Sequence, residues 1–319
     1  MRIRWFTVAG AAALAIALLV GSGYRGEAQP APDIPFAPRT DPSLKDPDNP
    51  TKTFRVDFAR VEHEFPLSRA DLMKITPENI TALTQEEVDQ LYGRLTAGPI
   101  PDGQHAGDLF FARADNGGGG GRLKTRLEEI LGGIGGRVAG ESIEFLEDLG
   151  RRLWKGKVFY RDQRILRNMI ENVAVLRPLV DDIGSVRTTT IPRESRIGRA
   201  LGTDTVWLLF PAKLYCGQSL VDGRRESVIV DYAYTDEIEG YRARPDLLAG
   251  RGGLQIRDEI RMIRPGFYLG RAYMNRMFLL NFTLYNEEVA DREGLRFAAG
   301  APVPEDCWPG EQGRKAAAR

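Results

Sequence analysis

The stretch RDEIRMIRPGFYLGRAYM, residues 257–274, consists of two strand-like runs joined by Pro265-Gly266. Proline at the second and glycine at the third position of a turn favour a tight reversal of the chain. The stretch therefore predicts a β-hairpin, and a two-residue loop sets its expected register. Because strand side chains alternate between faces, Ile260 and the carboxylate of Asp258 share one face, which is otherwise apolar.

Two charges occupy that predicted core face. In the expected register Asp258 faces Tyr273 and Ile260 faces Arg271, so the carboxylate and the guanidinium are diagonal neighbours. A lone buried charge is costly, so we expect Asp258 to pair with Arg271, with the Tyr273 hydroxyl beside them. A bulge at the turn would shift the register by one residue and break this pairing.

Two further charged residues are candidates for the same cluster. Lys157 shares its side of a predicted strand with Phe159, and Asp231 alternates with Val230 and Tyr232. Each also fits an ordinary solvated position. The cluster as a whole fits either an ion pair that fixes strand register or polar groups that orient a ligand in an apolar cavity. The candidate ligand-binding residues are Asp258, Arg271, Tyr273, Lys157 and Asp231.

The C-terminal half of the chain is predicted to be mainly β. Asp222-Gly223 lies between two β-rich runs and is a strong hairpin signal. Six or more antiparallel strands joined mostly by short turns predict a meander, closed or curled as a lipocalin-like barrel. An open sheet covered on one face by helices is the alternative. The predicted strands are 154–160, 164–170, 205–220, 226–235, 254–263, 267–274 and 277–286, and residues 171–192 give no clear prediction.

The region before these strands is predicted to be helical, which makes the fold class α+β. Thr84 and Glu87 form a capping box followed by apolar residues at helical spacing. Residues 107–112 read as a short strand. The five glycines between Asn116 and Arg122 lack the contiguous Gly-Lys-Ser/Thr of a phosphate-binding loop. Two amphipathic helices within 122–153 are expected to pack on the β-domain.

The N-terminus is typical of an exported protein. Met1 to Arg4 is basic, and Trp5 to Tyr24 is uncharged and rich in Ala and Leu. This pattern fits a signal peptide cleaved after Ala28, and it just reaches the length of a membrane anchor. We therefore expect a periplasmic protein or one anchored in the cell envelope, with membrane association through this segment.

The predicted organisation has five parts. Residues 29–50 contain seven prolines, which predicts an extended spacer that is dispensable for folding. The C-terminal tail is expected to be poorly structured except where Cys307 and Trp308 anchor it. The parts are 1–28 signal peptide or membrane anchor, 29–50 Pro-rich linker, 51–153 N-terminal helical region, 154–290 β-barrel-like domain and 291–319 C-terminal tail.

The two cysteines, Cys216 and Cys307, are expected to lie in an oxidising compartment. A disulfide between them would close a loop of about 90 residues, worth roughly 4–5 kcal/mol by loop-closure entropy. Two buried free thiols are the alternative. We predict the disulfide between Cys216 and Cys307.

Several kinds of chemistry lack support in this sequence. Lys+Arg and Asp+Glu both number 44, so no basic surface for nucleic acid is indicated. The chain has two histidines, His63 and His105, and no Cys/His spacing typical of a zinc site. No serine lies in a complete Gly-x-Ser-x-Gly motif of a hydrolase. We predict neither a metal nor a cofactor.

At WKGKVF (154–159) and IRDEIRMIRPGFYLGRAYM (256–274) the chain resembles a group of uncharacterised exported bacterial proteins with lipocalin- or calycin-like barrels. The resemblance covers about Trp154 to Tyr285. It implies a small apolar or lipid-like ligand in the barrel mouth, and its motifs mark strands and turns rather than catalytic residues.

Three functions are consistent with these features of the sequence. The first is an exported barrel that binds a small apolar molecule or lipid. The second is a barrel enzyme of the isomerase or hydrolase kind that uses Asp258, Arg271 and Tyr273. The third is a structural or assembly protein of the cell envelope. The sequence leaves open whether the protein is an enzyme.

Overall fold

A closed antiparallel barrel of eight strands, with helices packed on it, forms the described part of the computed structural model. The predicted fold class is confirmed. The structure describes residues 29–38, 45–46, 49–53, 56–112, 153–171, 182–191 and 204–311. Its strands are β1 (Lys45–Asp46), β2 (Asn49–Thr53), β3 (Gly103–Phe110), β4 (Trp154–Tyr160), β5 (Ile165–Ile170), β6 (Thr188–Thr190), β7 (Thr205–Gln218), β8 (Glu226–Asp231), β9 (Ile256–Arg264), β10 (Phe267–Met274) and β11 (Met277–Tyr285).

The barrel is an up-and-down meander. Each barrel strand pairs with the next one along the chain, in the order β3, β4, β5, β7, β8, β9, β10 and β11, and β3 closes the ring by pairing with β11. The short strand β6 pairs with the first residues of β7 outside this ring. β1 and β2 form a separate small hairpin.

The barrel draws its first strand from the region predicted to be helical. β3 precedes Trp154 in the chain, yet it pairs with both β4 and β11. The strand predicted at 107–112 therefore belongs to the barrel, and β6 forms within residues 171–192, for which there is no clear prediction. The signal segment and the two helices predicted within 122–153 lie outside the described residues.

The hairpin of β9 and β10 has the predicted turn but not the predicted register. A bulge between Phe267 and Tyr268 pairs Asp258 with Ala272 and Arg271 with Glu259. The two strands thus slip by one residue, which moves Arg271 to the opposite face from Asp258. The predicted pairing of Asp258 with Arg271 is wrong for this reason.

Both faces of this hairpin are buried. Ile260 and Met262 of β9 join the core inside the barrel, whereas Phe267 and Leu269 of β10 join a second core outside it. The sequence pattern predicted one apolar face and one polar face. The outer face is buried as well because helices cover it.

Three N-terminal helices lie outside the barrel, and the second and third of them pack on β9 and β10. They are α1 (Phe58–Glu64), α2 (Arg69–Lys74) and α3 (Gln85–Arg94), and α3 begins with the predicted capping box of Thr84 and Glu87. The Tyr92 hydroxyl lies 3.0 Å from Ser227 Oγ on β8, and Arg261 donates to the Tyr92 carbonyl. The α3 helix is thereby fixed to the barrel wall.

Part of the predicted Pro-rich linker is docked on α3. The Ala37 amide donates to Gln90 Oε1 at 2.9 Å, and Arg94 Nη1 donates to the Pro35 carbonyl at 2.7 Å. Ile34 is buried in the outer core. This segment is therefore not a free spacer.

A short helix, α4 (Ala243–Asp246), lies between β8 and β9, and the chain continues after β11 as a longer helix, α5 (Glu287–Ala298). The prediction of a poorly structured tail is wrong for these residues. Asn286 caps α5, and the helix lies beside α2, where Arg69 donates to the Phe297 carbonyl. Gly266, at φ 76°, lies so close to α5 that a Cβ there would be 2.7 Å from the Ala290 nitrogen.

The predicted disulfide between Cys216 and Cys307 forms, with the two Cα atoms 5.3 Å apart. It ties the segment after α5 to the end of β7. In that segment Asp306 accepts from the Ile100 amide and Glu305 accepts from the Gly98 amide, both at 2.8 Å. The chain between α3 and β3 is thereby joined to the C-terminal segment at one end of the barrel, called here the lower end.

Among the residues that the structure describes, no helix is both long and apolar enough to cross a membrane.

Candidate functional site

The barrel interior contains a compact group of four polar side chains, called here the interior cluster: Lys157, Asn168, Tyr232 and Asp258. Lys157 Nζ lies 3.0 Å from Asp258 Oδ2 and donates to Tyr232 Oη at 2.7 Å and to Asn168 Oδ1 at 2.9 Å. Lys157 is 2% exposed and Asp258 4% exposed. Asp258 therefore has a charged partner inside the barrel, but it is Lys157 and not Arg271.

Lys157 points inward by regular alternation with Phe159, and a bulge in β4 brings Trp154 to the same face. Trp154 and Lys157 are three residues apart, so on a regular strand they would lie on opposite faces. The register of β4 shifts between Trp154 and Gly156, which lets both side chains reach Asn168. Gly156 has φ 127°, and a Cβ there would be 2.0 Å from the His105 carbonyl oxygen of β3. Only glycine fits this bulge.

Each acceptor that Lys157 contacts also receives a second hydrogen bond. Trp154 Nε1 donates to Asn168 Oδ1 at 2.9 Å. Asn168 Nδ2 donates to Tyr232 Oη at 3.1 Å, and the Tyr232 hydroxyl donates to Asp258 Oδ2 at 3.3 Å. The interior cluster is thus a connected network, as buried polar groups require.

Aromatic rings surround the ammonium group. The centroids of Trp154, Tyr232 and Phe282 lie 5.4–5.5 Å from Lys157 Nζ. Their π faces favour a cation, and their bulk excludes water from it. Further from the cluster, His105 is buried between Phe159 and Tyr268. Most of the interior near the cluster is therefore apolar or aromatic.

The interior cluster pairs one cation with one anion. Burial lowers the pKa of Lys157, and the charge of Asp258 opposes this change without cancelling it. Burial, and then the Asp258 charge, raises the pKa of Tyr232 well above its usual value. Tyr232 is accordingly a protonated phenol at neutral pH. The cluster offers hydrogen-bonding groups without a net charge.

The cluster lies toward one end of the barrel, called here the upper end, where β4 and β9 begin and β5 and β8 end. Three connections at this end are long, comprising residues 111–153, 171–204 and 232–255, and the fourth, between β10 and β11, has two residues. Connections at the lower end, such as Pro265-Gly266, are short. Ligand-binding residues of β-barrels commonly lie near one open end of the barrel, the mouth.

The connection 232–255 is held to the barrel near the cluster. Its short helix α4 (Ala243–Asp246) ends at Asp246, whose buried carboxylate accepts from the Phe210 amide at 2.7 Å and the Arg242 amide at 2.8 Å. The Phe210 carbonyl in turn accepts from Asn168 Nδ2 at 2.9 Å. Burial raises the pKa of Asp246 to about 6, although both amides oppose this. Asp246 thus links the connection to the interior cluster through one residue of β7.

The other predicted site residues lie elsewhere. Arg271 is buried outside the barrel, where it pairs with Asp89 of α3 and donates to Tyr273 Oη at 3.0 Å. Asp231 faces away from the interior and accepts from Tyr215 Oη at 2.8 Å. The sheet therefore separates Arg271 and Tyr273 from Asp258, so these three residues do not form one catalytic group.

Asn168 and Tyr232 belong to the interior cluster but were not among the site residues predicted from the sequence. Asn168 lies on the same side of β5 as Leu166 and Ile170. A polar residue on an otherwise apolar face is also the signal that identified Asp258. Tyr232 follows Val228 and Val230 at the same spacing. Tyr232 would have been selected if the face of Val228 and Val230 had been assigned to the barrel interior.

A second buried polar network lies outside the barrel, beneath α1 and α3. Arg261 is fully buried and donates to Ser227 Oγ, the Tyr92 carbonyl and Asp222. Glu62 of α1 accepts from Arg225. These contacts join helices to the barrel wall, so we assign this network a role in folding.

Within the described ranges, the only grouping with the spacing of metal ligands is Cys216, Glu226 and Cys307. Both cysteines are bonded to each other in the disulfide, so their thiolates are not available to a metal.

No protein-family model, curated protein or solved structure matches this chain. The class of protein is therefore defined by the fold alone. An eight-stranded, closed, antiparallel barrel is consistent with a calycin-like fold, as the sequence resemblance implied. The disulfide is consistent with an oxidising, exported location.

Proposed function

We propose that the protein binds one small, largely apolar molecule inside the barrel and recognises its polar group through the interior cluster. The observation that supports this most is the buried pair of Lys157 and Asp258, 3.0 Å apart in an aromatic interior. An eight-stranded barrel is wide enough either to be filled by its side chains or to hold one small ligand.

The charge balance of the cluster favours a neutral polar group on that ligand. Asp258 compensates the charge of Lys157, so a carboxylate ligand would bring an uncompensated charge into the interior. A hydroxyl or carbonyl group would not. The ligand class is therefore an apolar alcohol, aldehyde, ketone or ester rather than a free fatty acid.

We propose an extracytoplasmic setting for this binding. The basic and apolar N-terminus supports export to the periplasm or anchoring in the cell envelope, and the disulfide agrees with it. The resemblance to exported proteins with lipocalin- or calycin-like barrels supports the same assignment. The proposed partners are a small apolar molecule or lipid and, through the N-terminal segment, the membrane, with no nucleic acid.

A purely structural role for the interior cluster is the competing explanation. Buried ion pairs of good geometry can fix strand register without binding anything, and replacing them by apolar residues is often neutral for stability. The two explanations make different predictions for a variant without the pair. Both allow it to fold, but only the binding proposal predicts that it loses the ligand.

The test compares molecules that co-purify with the exported protein. Organic extracts of the wild type and of a Lys157→Met/Asp258→Leu variant are analysed by mass spectrometry. We expect an apolar, uncharged molecule with a hydroxyl or carbonyl group in the wild type, and its loss from the variant.

A matched control removes a buried ion pair from the other side of the wall. The Arg271→Leu/Asp89→Leu variant should keep the molecule, because Arg271 lies outside the barrel. Identical extracts from all three proteins, each folded by circular dichroism, would disprove the proposal.

A further inference from the structure

We propose that Lys157 captures its ligand covalently, as an imine with an aldehyde or ketone. This inference rests on the proposed function and narrows the ligand class to carbonyl compounds. The geometry points to it because a buried amine, a carboxylate and a phenol lie within hydrogen-bonding distance of one another: Lys157 Nζ is 3.0 Å from Asp258 Oδ2 and 2.7 Å from Tyr232 Oη.

Imine formation needs a neutral amine and a group that can accept its proton. Burial, which lowers the pKa of Lys157, favours the neutral amine, and buried lysines are the usual amine nucleophiles of proteins. Asp258 is placed to accept the proton. Tyr232, a protonated phenol, is placed to donate a hydrogen bond to a carbonyl oxygen bound beside Nζ.

The reaction balances without any oxidant or reductant. A proton moves from Lys157 to Asp258, and the free electron pair of Nζ then attacks the carbonyl carbon. As the C–N bond forms, one Nζ proton moves to the carbonyl oxygen and gives a carbinolamine. The remaining Nζ proton then joins the hydroxyl, the C–O bond breaks, and water leaves a neutral imine. The proton on Asp258 finally moves to the imine nitrogen. The net change joins one carbonyl compound to the lysine and releases one water.

The hydrogen-bond network is suited to this change. The protonated imine keeps one positive charge and one N–H beside Asp258, so the charge pair survives. Lys157 gives up its other two donors, but Asn168 Oδ1 keeps the hydrogen bond from Trp154, and Tyr232 Oη keeps that from Asn168. No buried acceptor in the cluster is left without a donor, which would be costly.

The test uses reductive trapping on the full exported protein. It is incubated with each straight-chain aldehyde from hexanal to hexadecanal in the presence of cyanoborohydride, which fixes imines as stable amines. We expect one alkyl group per chain on the peptide that contains Lys157 for at least one aldehyde. The exposed Lys74 should react more slowly.

Two variants serve as controls. Lys155→Arg alters the neighbouring lysine, which pairs with Glu171, and should leave trapping at Lys157 unchanged. Lys157→Arg keeps a cation beside Asp258 but cannot form an imine, so trapping should vanish. If that variant fails to fold, Lys157→Met/Asp258→Leu replaces it. Labelling that is confined to exposed lysines would overturn covalent capture.

The matching alcohols separate this inference from the proposed function. They can enter the barrel but cannot form an imine, and a rise in melting temperature reports their binding. If an alcohol binds and no aldehyde is trapped on Lys157, covalent capture is wrong and ligand binding stands. If no alcohol or aldehyde stabilises the protein and none is trapped, both proposals are wrong.

Discussion

Asp258 and Arg271 lie on adjacent strands, one residue out of register, and their side chains leave opposite faces of the sheet. Asp258 pairs with Lys157 inside the barrel, and Arg271 pairs with Asp89 of α3 outside it. Because of the bulge between Phe267 and Tyr268, the single charge pair predicted from the sequence is replaced by two separate pairs.

Asp258 and Arg271 should therefore be energetically independent. We expect the effects of Asp258→Leu and Arg271→Leu on the free energy of unfolding to add within about 0.5 kcal/mol, because their contacts are to different residues. Chemical denaturation of the two single variants and the double variant measures this. The same comparison for Arg271→Leu and Asp89→Leu should show non-additive effects, because these two residues pair with each other. Non-additive effects for Asp258→Leu and Arg271→Leu would contradict the observed register.

The pair inside the barrel should behave in the opposite way. Lys157→Met and Asp258→Leu should each destabilise the protein by about 3–5 kcal/mol, because each leaves a buried charge without its partner. The double variant should recover most of that loss, since the neighbouring rings are apolar. Denaturant titrations of the three variants check this, and equal losses in the single and double variants would mean that the charges do not compensate each other.

The disulfide should contribute substantially to stability. It links positions separated by 91 residues, and loop-closure entropy predicts about 4–5 kcal/mol. We expect Cys216→Ser/Cys307→Ser to lower the free energy of unfolding by roughly that amount. Equilibrium unfolding in the presence and absence of reductant provides the comparison. The variant should be insensitive to reductant, whereas a reductant effect of the same size in both proteins would point to another cause.

Asp246 should make stability depend on pH. Its pKa in the folded protein is about 6 against an ordinary 3.8, so the folded state binds the proton more tightly than the unfolded state. Its contribution is therefore greatest below pH 4 and falls as the pH rises through 6, by roughly 3 kcal/mol in total. The difference in unfolding free energy between wild type and Asp246→Asn, measured from pH 4 to 7, should shift in favour of the variant. A constant difference would disprove the raised pKa.

The docked Pro-rich segment should stabilise the fold without being required for it. A chain that begins at Thr51 loses the contacts of Ile34, Pro35 and Ala37 with the helices and should be about 1–3 kcal/mol less stable than one that begins at Gln29. It should still melt cooperatively, because the barrel lies beyond the deletion. Calorimetry of the two chains measures the difference in stability. Equal stability, which the sequence alone predicts, would mean that the docked segment contributes nothing.

Local signals in the sequence predicted most of the barrel. Asp222-Gly223 and Pro265-Gly266 lie between strands as expected, and Thr84 with Glu87 caps α3. These features depend on neighbouring residues only, so the sequence is sufficient to find them. The disulfide was also correct, although its geometry depends on distant parts of the chain.

The candidate site was predicted only in part, because bulges and helix packing decide it. Lys157 and Asp258 were selected, but Trp154 joins them only through the bulge at Gly156, which strict alternation does not reveal. Arg271 was assigned to the interior because a regular register requires it. Its true environment is created by α3, which is distant in sequence and covers a face that the pattern marked as polar.

The pairing of β3 with β11 has a consequence for the order of folding. Ala106 is opposite Tyr285, so the ring closes only when residues near both ends of the barrel segment meet. Contacts of such long sequence separation slow folding, because much chain entropy is lost before they form. A chain released before Met277 would leave β3 and β10 as unpaired edges, which are prone to association with other strands. The barrel therefore cannot close strand by strand during synthesis, and its last strand completes the fold.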